Sequence, residues 1–178
     1  MHWMMALLAG LGCCALGFAV SGAAARRLRA LQAGTQAVQA IRLGVCVRGE
    51  MLARVLQALP AGESPEARAW AALFASIGKG LAEKPGASLA EAWEEAWTPA
   101  TRAHPVLLSL SEEDLRLLEP LREGLGRTPR DEQQTLLDGV CKELRAQHEN
   151  LRPKLADTQK ISQTLGMLGG LALFLLLI

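Results

Sequence analysis

Residues 4–25 decide how the rest of the sequence is interpreted. They read MMALLAGLGCCALGFAVSGAAA and contain no Lys, Arg, Asp or Glu. A helix of this length, at a rise of about 1.5 Å per residue, crosses a hydrocarbon layer about 30 Å thick. The small-residue run 21–25 also fits a signal-peptidase site, but no Lys or Arg precedes the apolar run, which is longer than an ordinary signal-peptide core. We therefore predict a transmembrane helix over 1–25.

The other end of the chain is also uncharged. Residues 161–178, ISQTLGMLGGLALFLLLI, follow Lys160 and predict a second transmembrane helix near the lower length limit, the alternative being a buried core helix. Arg26 and Arg27 directly follow the first segment, which places the middle of the chain in the cytoplasm and the protein in a cell membrane as a multi-pass protein. Gly166 and Gly170 have the spacing at which membrane helices approach closely, although small residues are common in such helices.

The charged middle, residues 26–160, excludes several classes of function. It holds all 19 basic and 18 acidic residues, a balance that does not favour nucleic-acid binding. The four Cys and three His residues form neither a CxxC nor an HExxH pattern, so we expect reduced thiols, no metal and no cofactor. Nucleotide-binding and hydrolase motifs are also missing from the sequence, and we expect no enzyme.

Apolar spacing in the middle predicts helices throughout, in an all-α antiparallel bundle of about six helices whose first and last members continue into the transmembrane segments. Leu31, Val38 and Val45 form one stripe, on a helix expected to end near Val47. A short helix is predicted over 49–59. Further start signals are Ser64 with Pro65, Ser88 with Glu91, Ser111 with Asp114, and Thr128 with Pro129.

Four proline and tryptophan features complete the helical interpretation. We expect the helix that begins at Ser88 to end before Pro99, and the one that begins at Ser111 to kink at Pro120 near its end. The last helix is predicted to bend near Pro153. Trp70, Trp93 and Trp97 are expected in the core rather than in a binding groove.

Across its whole length the chain resembles the stage III sporulation protein AB family. The similarity lies in a membrane helix followed by Arg26, Arg27 and Leu28, a helical middle, and the closing helix LGMLGGLALFLLLI. The positions that follow the family pattern within the middle are Leu52, Phe74, Trp93, Leu125, Gly126 and Gln133. The soluble part of this family is similar to the cytoplasmic helical domains of protein F of type II secretion systems.

The resemblance implies a non-enzymatic platform component of a secretion-like channel complex between mother cell and forespore, needed for endospore formation. Its partners would be other membrane proteins of that complex, a motor ATPase and membrane lipid, and a homo-oligomer is a further alternative. The protein would be located in the mother-cell membrane around the forespore. The chain departs from the family pattern at Gly44, Met51 and Pro129. The alternative is a small membrane-anchored helical adaptor unrelated to secretion. Gln133 is expected to bond to another helix or to the preceding loop, unless it is a solvated surface residue.

Overall fold

A computed structural model describes the backbone of residues 2–84 and 86–177, and the side chains of residues 22–84 and 86–153. Every regular element in these ranges is a helix, as predicted. The chain divides into two compact units, one of residues 1–28 with 149–178 and one of residues 29–148. The elements are α1 (His2–Arg42), a π-helix (Leu43–Val47), α2 (Leu52–Gln57), α3 (Pro65–Glu83), α4 (Leu89–Ala103), a 3-10 helix (Pro105–Ser109), α5 (Glu112–Arg116), α6 (Glu119–Gly124) and α7 (Arg130–Leu177).

Three predicted helix starts are confirmed in atomic detail. The Ser64 hydroxyl accepts a hydrogen bond from the Ala67 amide at 3.1 Å, and Pro65 occupies the first turn of α3. Reciprocal capping boxes join Ser88 to Glu91 at the start of α4, and Ser111 to Asp114 at the start of α5. Each cap satisfies amides that the first helical turn leaves without a partner.

The prolines shape the chain differently from the prediction. Helix α4 does not end before Pro99 but continues through it to Ala103, where burial of Ala100 and Thr101 stabilises the last turn. The prediction of a single helix after Ser111 is wrong. The chain forms two helices there, α5 and α6, and Pro120 lies in the first turn of α6. A missing amide is tolerated in a first turn, where it has no intrahelical partner. Pro153 lies within α7.

Two shorter stretches also differ from the prediction. The helix predicted over 49–59 is shorter in the structure and consists of α2 alone. Gly49 has a positive φ of 68°, which interrupts the helical conformation before α2. His104 lies in a connection, as predicted, but the residues after it form the 3-10 helix.

The core of residues 29–148 is built around Trp70. Its indole Nε1 donates a hydrogen bond to the Ala30 carbonyl of α1 at 2.8 Å. The ring lies so close to Gly34 that a Cβ there would stand 3.0 Å from it, so a small residue is needed at this crossing. Phe74 stacks on Trp70 at 5.7 Å, and Trp93 meets the Phe74 ring edge-on at 5.8 Å. The tryptophan prediction is confirmed for Trp70 and Trp93, and Trp97 is half-buried.

An ion pair reinforces the same crossing of α1 and α3. The Arg29 Nε lies 2.9 Å from Glu66 Oε1, and the Glu66 side chain is buried. Burial alone would raise the pKa of the Glu66 carboxyl, but the hydrogen bond and charge of Arg29, together with a backbone amide, hold that pKa below its ordinary value. The carboxylate therefore stabilises the fold at neutral pH, and this contribution is lost as the pH falls through the lowered pKa.

The predicted transmembrane segments, 1–25 and 161–178, lie outside the residues whose side chains the structure describes, apart from residues 22–25. Gly166 and Gly170 lie outside them as well. Within the ranges 22–84 and 86–153, no helix has a stretch that is both long and apolar enough to cross a membrane.

We expect Trp70→Phe to lower the free energy of unfolding by about 1 to 3 kcal/mol, because it removes both the bond to Ala30 and part of the ring packed against Gly34. Trp97→Phe is the matched control, since Trp97 stacks on Trp93 but is half-buried. Urea unfolding of the full-length protein in detergent, followed by circular dichroism, measures both. Equal losses in the two variants would contradict the role assigned to the indole.

Candidate functional site

A π-helix interrupts the regular structure at the end of α1, a feature that the sequence did not predict. Residues Leu43–Val47 form this wider turn directly after Arg42. Gly44 lies at its inner side, where a Cβ would stand 2.6 Å from the Val55 side chain of α2. Short π-helical turns are rare and occur frequently at functional sites. The end of α1 is therefore the first place to look for a site.

The Arg130 side chain closes this π-helix. Its Nε donates to the Cys46 carbonyl at 2.9 Å, and its Nη2 donates to the Cys46 carbonyl and to the Val47 carbonyl, the latter at 3.2 Å. Carbonyls at a helix C-terminus lack intrahelical donors, and a cation there also interacts favourably with the helix dipole. Arg130 thus ties the start of α7 to the end of α1.

A second pair of contacts fixes the direction of these two helices. The Arg42 Nε lies 2.7 Å from Asp138 Oδ1. Residue 42 therefore meets residue 138, and residue 46 meets residue 130, so α1 and α7 run antiparallel here, as predicted. Burial raises the pKa of the Cys46 thiol, against the lowering effect of Arg130 and Arg42. The thiol is thus neutral at pH 7 and packs as a small apolar group.

The turn before α7 brings together four of the residues that carried the family resemblance. Leu125 is buried, and Gly126 has a positive φ of 86°. A Cβ on Gly126 would stand 3.1 Å from the Leu52 side chain, so α2 packs directly against this turn. Gln133 donates from Nε2 to the Thr128 carbonyl at 2.6 Å, and this bond to the preceding loop is one of the alternatives that the sequence left open.

The other candidates lie elsewhere. Phe74 and Trp93 are in the core. Arg26 is exposed and Arg27 is half-buried, and both belong to the other unit. The structure thus separates these residues into the turn before α7, the core, and the two arginines of the other unit.

Beside this turn the protein exposes apolar side chains. The exposed fractions are 48% for Leu43, 65% for Val47 and 81% for Met51. Arg48 lies between Val47 and Met51 in sequence, Arg54 follows Met51, and both arginine side chains are exposed. We call the surface formed by Leu43, Val47, Arg48, Met51 and Arg54 the junction surface. Met51 falls within the helix predicted over 49–59, but it is the exposed N-cap of α2.

The sequence offers only a partial signal for the junction surface. Leu43 and Val47 are four residues apart and lie outside the Leu31–Val38 stripe that enters the core, but Met51 follows the helix interruption at Gly49 and does not share a helix with them. Within the residues that the structure describes, no group of three or more His, Cys, Asp or Glu side chains could hold a metal ion. The apolar and cationic side chains of the junction surface are suited to binding a partner.

Comparison with known families identifies one family. The family model described as stage III sporulation protein AB matches residues 2–178. The chain belongs to that family. The resemblance seen in the sequence is thereby confirmed, and a role in sporulation follows from membership. No curated protein and no solved structure matches the chain.

We expect Arg130→Ala to loosen the segment that contains the π-helix, because two carbonyls at its end lose their donors. Amide hydrogen exchange in residues 43–51 should accelerate roughly tenfold. Arg127→Ala is the control, since Arg127 is exposed and three residues away. Lys in place of Arg130 should give an intermediate rate, because an ammonium cannot reproduce the planar fork. Unchanged exchange in Arg130→Ala would contradict the capping role.

Proposed function

We propose that this protein is a non-enzymatic platform subunit, anchored in the membrane at both ends, of a secretion-like complex between mother cell and forespore. Membership of the stage III sporulation protein AB family is the observation that carries the proposal. In this proposal the helical middle lies in the mother-cell cytoplasm, where it contacts a motor ATPase and other membrane proteins of the stage III complex.

The uncharged ends support the membrane part of the proposal. Residues 1–25 and 161–178 contain no charged side chain, and Arg26 and Arg27 stand where a cytoplasmic flank would have them. Similarity of the middle to the protein F domains of type II secretion systems belongs to the same proposal, supported by the all-helical fold of residues 29–148.

The mechanical part of the proposal concerns α1 and α7. Helix α1 runs without a break from His2 to Arg42, and α7 from Arg130 to Leu177. An unbroken helix can transmit force along its axis, whereas a flexible linker cannot. A motor that moves the helical middle would then act on the membrane segments through these two helices.

The cytoplasmic location is tested with a thiol probe. Cys141 is a poor probe, because it is buried and burial raises the pKa of its thiol. Met51→Cys places a thiol at the most exposed apolar side chain of the junction surface. We expect a membrane-impermeant maleimide to label this variant only after cell lysis, with the wild-type chain as the background control. Labelling of intact cells would contradict the orientation.

The force-transmitting role is tested at Ala25. Proline there should kink α1, because it removes a backbone hydrogen bond and clashes with the preceding turn, at a cost of about 3 kcal/mol. We expect Ala25→Pro to abolish sporulation while residues 29–148 stay folded, as judged by protease resistance. Ala25→Ser is the matched control and should sporulate normally. Normal sporulation of Ala25→Pro, with a folded middle, would contradict the mechanical role.

A further inference from the structure

The large apolar side chains that are exposed in the described part of the chain fall into two groups. Leu43, Val47 and Met51 belong to the junction surface. Leu108 is 66% exposed in the 3-10 helix that precedes α5. Exposed apolar side chains that cluster beside charged ones are typical of surfaces that bind a partner.

The two groups carry opposite charges. Residues 43–54 include Arg48, Arg54 and Glu50, which gives a net charge of +1. The Arg48 contact with Glu50 is long, 3.8 Å, and the Arg48 side chain is 70% exposed.

The net charge of the residues around Leu108 is negative. The exposed charged residues of 108–116 are Glu112, Glu113 and Arg116, a net charge of −1, since Asp114 is buried. The Glu112 side chain is 89% exposed, and its contact with Arg116 is also long, at 3.8 Å. Glu113 is exposed as well. We call Leu108, Glu112 and Glu113 the acidic surface.

We propose that the junction surface of one copy of this protein binds the acidic surface of a second copy. Leu108 would pack among Leu43, Val47 and Met51, while Glu112 and Glu113 would face Arg48 and Arg54. One chain carries both halves of this interface, and opposite charges at the rim would fix its register. Because the two surfaces differ, the contact is head-to-tail and repeats from copy to copy into a ring or a filament.

Within its own unit, the junction surface lies at the far end of α1 from Arg29. Within residues 29–148, Leu43 directly follows α1 and lies fourteen residues from Arg29, about 21 Å at the rise of a helix. Arg29 is the end of this unit nearest in sequence to the first predicted transmembrane segment. The junction surface is therefore at the opposite end of this stretch of α1. The inference goes beyond the proposed function, since it holds for any role of the protein in sporulation.

Charge reversal on the full-length protein in detergent tests the contact. Association is measured by sedimentation velocity over a range of protein concentrations. Arg48→Glu with Arg54→Glu should weaken association about tenfold, and so should Glu112→Lys with Glu113→Lys. The four changes in one chain restore opposite signs and should bring association back to within about threefold of wild type.

Two controls separate the contact from general effects of charge and of folding. Glu63→Lys with Glu143→Lys changes the net charge as much as the acidic-surface variant, at exposed positions outside both surfaces, and should leave association unchanged. Thermal melting by circular dichroism checks that each variant is folded, and Arg48→Lys with Arg54→Lys should associate as wild type does.

Four results would overturn the proposal. The first is a wild-type protein that stays monomeric at every concentration, and the second is equal association of all variants. The third is a folded variant with all four changes that does not recover association. The fourth is that Arg48→Glu with Arg54→Glu keeps self-association but loses binding to a different protein or to anionic vesicles.

Discussion

The Arg130 guanidinium is the contact on which the candidate site depends. It joins α7 to the carbonyls at the end of the π-helix, across 84 positions of sequence. Without these donors the Cys46 and Val47 carbonyls would lose the partners that close the wide turn. On the inner side of the same turn, Gly44 lies against the Val55 side chain of α2, while Leu43 and Val47 in this turn are exposed. The Arg130 contact thus closes the turn from which these two apolar side chains reach the surface.

The core around Trp70 fixes the packing of α1 against α3. Its hydrogen bond to Ala30 and its close approach to Gly34 fix how α1 crosses α3, and the ion pair of Arg29 with Glu66 reinforces this crossing. The π-helix directly follows α1, so the helix that packs against Trp70 also leads into the junction surface. In the proposed platform, the same helix would carry force towards the membrane segment. Stability and function would then rest on one helix.

Sequence patterns predicted the helices well where the signal is local. Ser64, Ser88 and Ser111 cap the helices that follow them, because a side-chain hydroxyl accepts a hydrogen bond from a free amide only three residues away. The prediction of one helix through Pro120 and of a helix end before Pro99 failed, because tertiary packing decides whether a proline starts a helix or is tolerated near its end. The π-helix and the Arg130 contact depend on partners far apart in sequence, which periodicity does not reveal. Of the candidate site, Leu52, Gly126 and Gln133 came from family resemblance, whereas the exposure of Met51 came only from the structure.

Our proposal is that this member of the stage III sporulation protein AB family is a subunit of a membrane complex with a motor. Its most direct test is a detergent pull-down of the tagged full-length protein from cells in mid-sporulation, after alkaline extraction has shown that it is an integral membrane protein. The account predicts recovery of a motor ATPase together with other stage III membrane proteins. Recovery of neither, from cells that sporulate normally without this protein, would contradict it and favour an unrelated membrane adaptor.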